Sequence, residues 1–344
     1  MLSIGNDSHP LGRRDFLRVG GLGLGGLTLA DLIRTKSNAA SGSDLATGKS
    51  VIFLFMHGGP SQVETFDPKM DRPSEVRSAT GEVSTTLPGI TYGGTFPKLA
   101  KLAHRTSIVR SFRTGSGAHD IKPIVGKDSF GANLGSVYSR IVGTNRPEDG
   151  MPTNVALFPQ AVDSTTMPRI SQFGKFESTG VFGSLYSPFI PGSSGDAQQN
   201  LKLNLSLDRI DDRRSLLKGL DGVKSQLDTA SQFGGLDAVR EQAFSTILGG
   251  VADAFDLSKE DPATVARYDT APLVRPDDIS RHWNNYKRYV DNGKALGKLL
   301  LLARRMCEAG AGFVTVTTNF VWDMHADVNN ATVEEGMRYM GVPF

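Results

Sequence analysis

The apolar run Val51-Ile-Phe-Leu-Phe-Met56 passes directly into His57-Gly-Gly-Pro60-Ser61, and this junction constrains the fold more than any other stretch. Six apolar residues are too few for a stand-alone helix. Rich in β-branched and aromatic side chains, they read as a strand buried on both faces, as in a parallel sheet. The Gly-Gly-Pro that follows demands a sharp turn and lets another segment approach the backbone closely. A histidine at such a strand end stands where open α/β sheets bind ligands, at the carboxyl edge.

Two later stretches repeat the pattern. Thr106-Ser-Ile-Val-Arg-Ser-Phe112 reads as a second buried strand, reached from the first through a short helix at 96–104, so that the unit is β-α-β. It ends in a glycine-flexed loop carrying Thr114, Ser116, His119 and Asp120. A hydroxyl there needs a base or a metal to become a nucleophile, and the loop supplies both ingredients. Gly312-Phe-Val-Thr-Val-Thr317 reads as a third strand, and Asp323 and His325 follow it. Two residues apart on extended backbone, these two side chains reach one metal or one phosphate-like group. Near the first strand, Glu64 and Asp67 join His57 as further candidate ligands, a mix of carboxylate and imidazole that suits a hard or borderline divalent metal.

The remaining segments frame these strand ends. Residues 72–95 are rich in Pro, Gly, Ser and Thr and read as a surface connection, and Thr153–Phe158 is strand-like. Ile210, Leu217, Leu220 and Leu227 keep helical spacing within a helical insertion at about 205–270, whose charges form a solvated face. His282-Trp283 reads as a surface pair. Gly293 to Ala309 is an amphipathic helix closed by Gly310, with Cys307 on its apolar side, and Thr332 to Met340 is helix-like.

Residues 12–18, Gly-Arg-Arg-Asp-Phe-Leu-Arg, carry paired arginines ahead of Phe16, Leu17 and Arg18. A glycine-rich apolar stretch and a small-residue segment come next, the order of a twin-arginine secretory signal. Residues 1–45 are therefore set aside as signal peptide and linker, with cleavage expected near Ala40, and the partner expected for them is the twin-arginine export machinery. The destination is the periplasm or the exterior. The apolar stretch is too short and glycine-rich for a stable transmembrane span. The net charge of +2, from 38 basic and 36 acidic residues, gives no footing for nucleic acid. The single cysteine excludes an intrachain disulfide. No Gly-x-Gly-x-x-Gly or Walker-type loop follows a strand, which argues against a nucleotide enzyme.

The twin-arginine start, the Met56-His-Gly-Gly-Pro-Ser61 junction, Thr65-Phe-Asp-Pro-Lys69, Phe255-Asp-Leu-Ser258, Leu301-Leu-Ala-Arg-Arg305 and Trp322-Asp-Met-His325 together resemble the uncharacterised DUF1501 family of exported bacterial proteins, which is grouped by fold with alkaline phosphatases and sulfatases. The resemblance implies an α/β/α sandwich with a mostly parallel sheet over residues 46–344. It also implies metal ligands at His57, Asp323 and His325 and a nucleophile near Ser116, with His119 beside it. The cofactor implied is a divalent cation (Zn, Ca, Mg or Mn) and the substrate a small anionic ester or a polysaccharide-type ester. Members usually run on into a Gly-Glu-x-Gly-Arg-Thr-Pro strand end and an Asp-His pair, so the sheet and ligand set are expected to be incomplete at the C-terminus. The Cys/Ser-x-Pro-x-Arg signature of sulfatases is absent around Ser116. The leading expectation is an exported metal-dependent hydrolase; the alternative is a non-catalytic exported binding or structural protein, or an inactive fragment of such a hydrolase.

Overall fold

The computed structural model describes residues 48–113, 119, 125–126, 129–170, 173–192, 215, 251–319, 321–325 and 330–343. The signal-like segment 1–45 and most of the expected insertion, 205–214 and 216–250, lie outside these.

The described chain is mixed α/β. Strands β1 (Val51–Phe55), β4 (Asn154–Leu157) and β5 (Phe313–Thr317) form a parallel sheet of order β1-β5-β4. Val51 and Asn154 both stand opposite Phe313, so the three strands start in line and finish at one carboxyl edge. Strands β2 (Glu82–Ser84) and β3 (Thr91–Gly93) make a separate antiparallel hairpin within residues 72–95, the stretch read as a surface connection.

The sheet corrects two expectations. β5, bonded on both sides, is the central strand, whereas Val51 and Ile52 of β1 are 47% and 43% exposed. An apolar run thus marks β1 correctly as a strand but not as a central one, because burial depends on neighbours that the run does not encode. Nor is Thr106–Phe112 a strand. It leaves the single-turn helix α1 (Pro97–Ala100) and a short 3-10 turn, and its Ile108, Val109 and Phe112 are exposed. The β-α-β unit expected there is absent among the described residues.

Side chains alternate across the sheet, as pleating requires. Val155 and Leu157 of β4 and Val314 and Val316 of β5 face one core. Helix α2 (Leu134–Val142) packs beside these two strands, its N-terminus capped by Asn133 Oδ1, which accepts from Ser136 N. Downstream come α3 (Val251–Phe255), α4 (Pro262–Tyr268), α5 (Ala271–Val274) and the long α6 (Tyr286–Glu308). α6 lays Ala295, Leu299, Leu302, Ala303 and Met306 on the core, where α3 adds Val251 and Phe255. Each large apolar side chain fully removed from water contributes about 1.5–3 kcal/mol. This row is what holds helix to sheet.

α6 begins seven residues before the predicted amphipathic stretch. Its first turns bury Asp291 and Asn292, polar residues that disguise the helical face. Asp291 accepts from Lys287 Nζ at 3.0 Å and from Met167 N at 2.7 Å, which meets the requirement that a buried carboxylate be paired. The helix stops before Gly310, whose φ of +109° suits glycine. Cys307 sits at the margin of the core as expected, and burial raises its thiol pKa.

A second core joins Tyr92, Phe96, Ile279, Trp283, Tyr289, Trp322, Met337 and Met340. Trp283 is thus a core residue and not half of a surface pair; only His282 is exposed. Helix α7 (Val333–Gly341) closes this core, starting from a capping box in which Thr332 Oγ1 accepts from Glu335 N and Glu335 reaches back to Thr332 N. On the face of the sheet opposite the first core, Ala156, Phe158 and Phe176 pack with Phe53 and Phe55.

Candidate functional site at the carboxyl edge of the sheet

β1 and β5 are hydrogen-bonded neighbours, so the segments beyond them emerge side by side. His57 follows β1 after one residue and is fully buried. The chain then reverses: Gly59 N donates to Met56 O at 3.1 Å, and Gly58 takes a φ of +108°. Here the two strand exits touch. Trp322 N donates to His57 O at 3.1 Å, and a Cβ on Gly58 would lie 2.4 Å from Asp323 N. Glycine is required by backbone proximity as well as by its φ.

That contact brings Asp323 and its histidines beside His57. The Asp323 Oδ2 atom lies 2.7 Å from His325 Nε2 and 3.6 Å from His119 Nε2. One carboxylate is therefore shared by two imidazoles. Burial, reinforced by the nearby charges of His119 and Arg288, lowers the pKa of His57 to about 4. At neutral pH His57 is a neutral ring with a lone pair to offer. Tyr289, on the first turn of α6, is pushed up to about 12, chiefly by burial and further by the charge of Asp323. It stays a neutral phenol.

Aromatic rings line the other side. Phe55 and Phe176 meet the His57 ring at 5.5 and 5.3 Å between centroids, and Phe173 lies within 6.4 Å of His57 and 5.9 Å of His119. The low polarity of this wall explains why His57 is held neutral.

Of the residues expected to act, His57, His119, Asp323 and His325 come together here. Ser116, Thr114 and Asp120 lie outside the described residues. Two candidate ligands have other partners. Glu64 is buried and accepts from Ser78 Oγ, Ala79 N, Thr80 N and Thr80 Oγ1 at 2.7–3.2 Å, anchoring the segment that leads into β2. Asp67 pairs with Lys69 at 3.2 Å and Arg110 at 3.7 Å. Spacing of 64 and 67 from His57 suggests a cluster, but the turn after Ser61 gives each carboxylate a different set of donors.

Sequence reasoning passed over Phe173, Phe176, Arg288, Tyr289 and Asn319. Only Asn319 carried a local signal, being an Asn just past a strand: it has a φ of +55° and holds the 168–170 segment through its side-chain amide.

Carboxylate plus neutral imidazole is the donor chemistry of a borderline divalent cation. Among the described residues, no group of three or more His, Cys, Asp or Glu side chains is closed around one point. The donor types present, one carboxylate and imidazoles, are ones such a cation accepts.

The family model for DUF1501, described as a protein of unknown function, matches residues 48–341. The chain belongs to the DUF1501 family. The match takes in every described residue of the site. No curated protein and no solved structure matches this DUF1501 protein. No helix among its described residues is long and apolar enough to cross a membrane.

Proposed function

We propose that this DUF1501 protein is an exported, metal-dependent hydrolase of anionic esters, built on an alkaline-phosphatase/sulfatase-like α/β/α sandwich. The observation that carries the reading is the Asp323 carboxylate, set 2.7 Å from His325 and 3.6 Å from His119 at the carboxyl edge of parallel strands, beside a neutral His57. His57, Asp323 and His325 would hold the cation. When bound, a divalent metal polarises the ester oxygens and activates a hydroxyl or water.

The protein's own groups supply the rest. Asp323 would bring the negative charge that balances the cation and would orient the two imidazoles, while the packing of Phe55 and Phe176 against His57 keeps water from its ring. His119, only 34% exposed and 3.6 Å from Asp323, would hand a proton to the leaving oxygen. The attacking group is assigned to Ser116 or to a water. Export by the twin-arginine route rests on Arg13, Arg14, Phe16 and Leu17, and it suits a protein that folds around its cofactor before leaving the cell.

Elemental analysis of the purified protein, with assays on aryl phosphate and aryl sulfate esters, tests the reading. Wild type is expected to retain a stoichiometric divalent metal and to turn over one ester class in a chelator-sensitive way. Asp323→Asn with His325→Ala is expected to lose both. Unchanged metal content in the double variant refutes the ligand assignment. Metal uptake without turnover of either ester favours the alternative, an exported binding module.

A further inference from the structure

We infer that the ester accepted at this site carries a flat apolar group, and that Phe173 is the specificity-determining residue that receives it. The inference rests on the hydrolase reading above and names its substrate class more closely.

Phe173 and Phe176 both reach His57 but differ in what else they touch. Phe176 stands edge-on to His57 at 83°, packs against Phe55 and Phe158 at 5.5 and 5.4 Å, and is only 5% exposed. It is a core residue. Phe173 is edge-on to two imidazoles, at 67° to His57 and 73° to His119, and keeps part of its surface open to solvent. A half-open ring beside the two histidines of a reaction centre offers an apolar surface where an ester's substituent would lie.

The position is built into the backbone. Gly174 and Lys175 take consecutive positive φ values of +88° and +46°, which fold the chain so that both phenylalanines turn toward one imidazole. A Cβ on Gly174 would stand 2.6 Å from the Phe176 ring. Upstream, Met167 N donates to buried Asp291 on α6, and Ile170 N donates to Asn319 Oδ1 at 2.8 Å while Asn319 Nδ2 donates to Pro168 O at 3.3 Å. The wall is thus fastened to the helix behind the sheet and to the end of β5, the strand that delivers Asp323. One strained backbone position, the left-handed Lys175, and three anchoring hydrogen bonds are more than a surface loop needs, and they hold the ring where it meets both histidines.

Calorimetric titration of the full chain, in Zn2+ and separately in Mg2+, with phenylphosphonate against methylphosphonate and benzenesulfonate against methanesulfonate tests this. An aromatic contact of this kind corresponds to about tenfold in affinity. The expected result is that the phenyl ligand of one pair binds wild type about tenfold more tightly than its methyl counterpart. Phe173→Ala is expected to reduce that preference to about twofold or less while methyl-ligand affinity is retained, and Phe173→Tyr is expected to keep it. Phe173→Leu, which preserves apolar bulk without the π face, gives the same loss should the alanine variant fold poorly. Equal binding of phenyl and methyl ligands by wild type, or a preference that survives in both Phe173→Ala and Phe173→Leu, overturns the inference and leaves the hydrolase reading standing. Binding of none of the four ligands overturns the hydrolase reading, and the inference with it.

Discussion

Gly58→Ala is the sharpest test of how the two strand exits make one site. The new methyl would lie 2.4 Å from Asp323 N and 3.0 Å from Trp322 backbone atoms, on a residue with φ +108°. Backbone strain at such a φ costs about 1–3 kcal/mol, and forcing an extra carbon against packed backbone adds about 1–3 kcal/mol. A loss near 4 kcal/mol is expected, a large share of the roughly 5–15 kcal/mol that stabilises a typical domain. Gly59→Ala is the matched control. An alanine at its φ of +82° is strained too, but the methyl meets nothing within 4 Å, so only the first contribution applies and the loss is about 1–3 kcal/mol. Urea unfolding of the metal-free proteins, with slopes compared to exclude a change in the unfolded state, gives the difference directly. Relief of the clash also requires the 57–58 and 322–323 backbones to part by roughly 1 Å, a shift on the scale that costs about a hundredfold in a positioned site. Metal affinity and any ester turnover should therefore fall in Gly58→Ala and hold in Gly59→Ala. If the two variants are equally stable, or if Gly58→Ala binds metal like wild type, then close approach of the strand exits is not what assembles the site.

Other expectations follow from the same structure. His57 has a folded pKa of about 4 against 6.5 when solvated, so the unfolded chain binds the extra proton between those values. Stability of the metal-free protein should be complete above pH 6.5 and decline by about 3 kcal/mol as pH falls to 4, at about 1.4 kcal/mol per unit; thermal melts across that window should show the slope, and His57→Gln should flatten it. Glu64→Ala leaves Ala79 N and Thr80 N without their acceptor and should lower stability by about 2–3 kcal/mol; unlike Asp323→Asn, it should leave metal stoichiometry untouched. Gly297→Ala puts a methyl 1.5 Å from Tyr268 O, so α4 must lift from α6, with an expected loss of about 3 kcal/mol in chemical denaturation. Cys307, its pKa raised by burial, should react with iodoacetamide at neutral pH at least about tenfold more slowly in the folded than in the unfolded protein.

Strand ends carrying His57 and Asp323/His325 were legible because each combines an apolar run with an abrupt change to glycine or polar residues, a purely local signal. β4, the later part of α6 and α7 were legible for the same reason, through period-2 or helical spacing. What failed was whatever depended on neighbours. Thr106–Phe112 has strand composition yet makes no strand, since composition records only that a segment fits a sheet and pairing also needs an available edge in register. Glu64 and Asp67 lie close to His57 in sequence, but the donors around them come from residues 69, 78–80 and 110. Phe173 gave no pattern at all, and Asn319 only the weak one of an Asn just past a strand, because their roles arise from contacts across more than a hundred positions of chain.

The sequence by itself determined where β1 and β5 give way to glycine-rich or polar segments, and that His57, Asp323 and His325 stand just beyond them. Tertiary structure alone decided that β1 and β5 are neighbours, that β5 is the central strand, and that Gly58 lets the exit of β1 pack against the Trp322–Asp323 backbone. The reason is physical: periodicity and turn chemistry act over a few residues, whereas the sharing of one carboxylate by His119 and His325 beside a neutral His57 depends on strand order, and strand order is settled by the core as a whole.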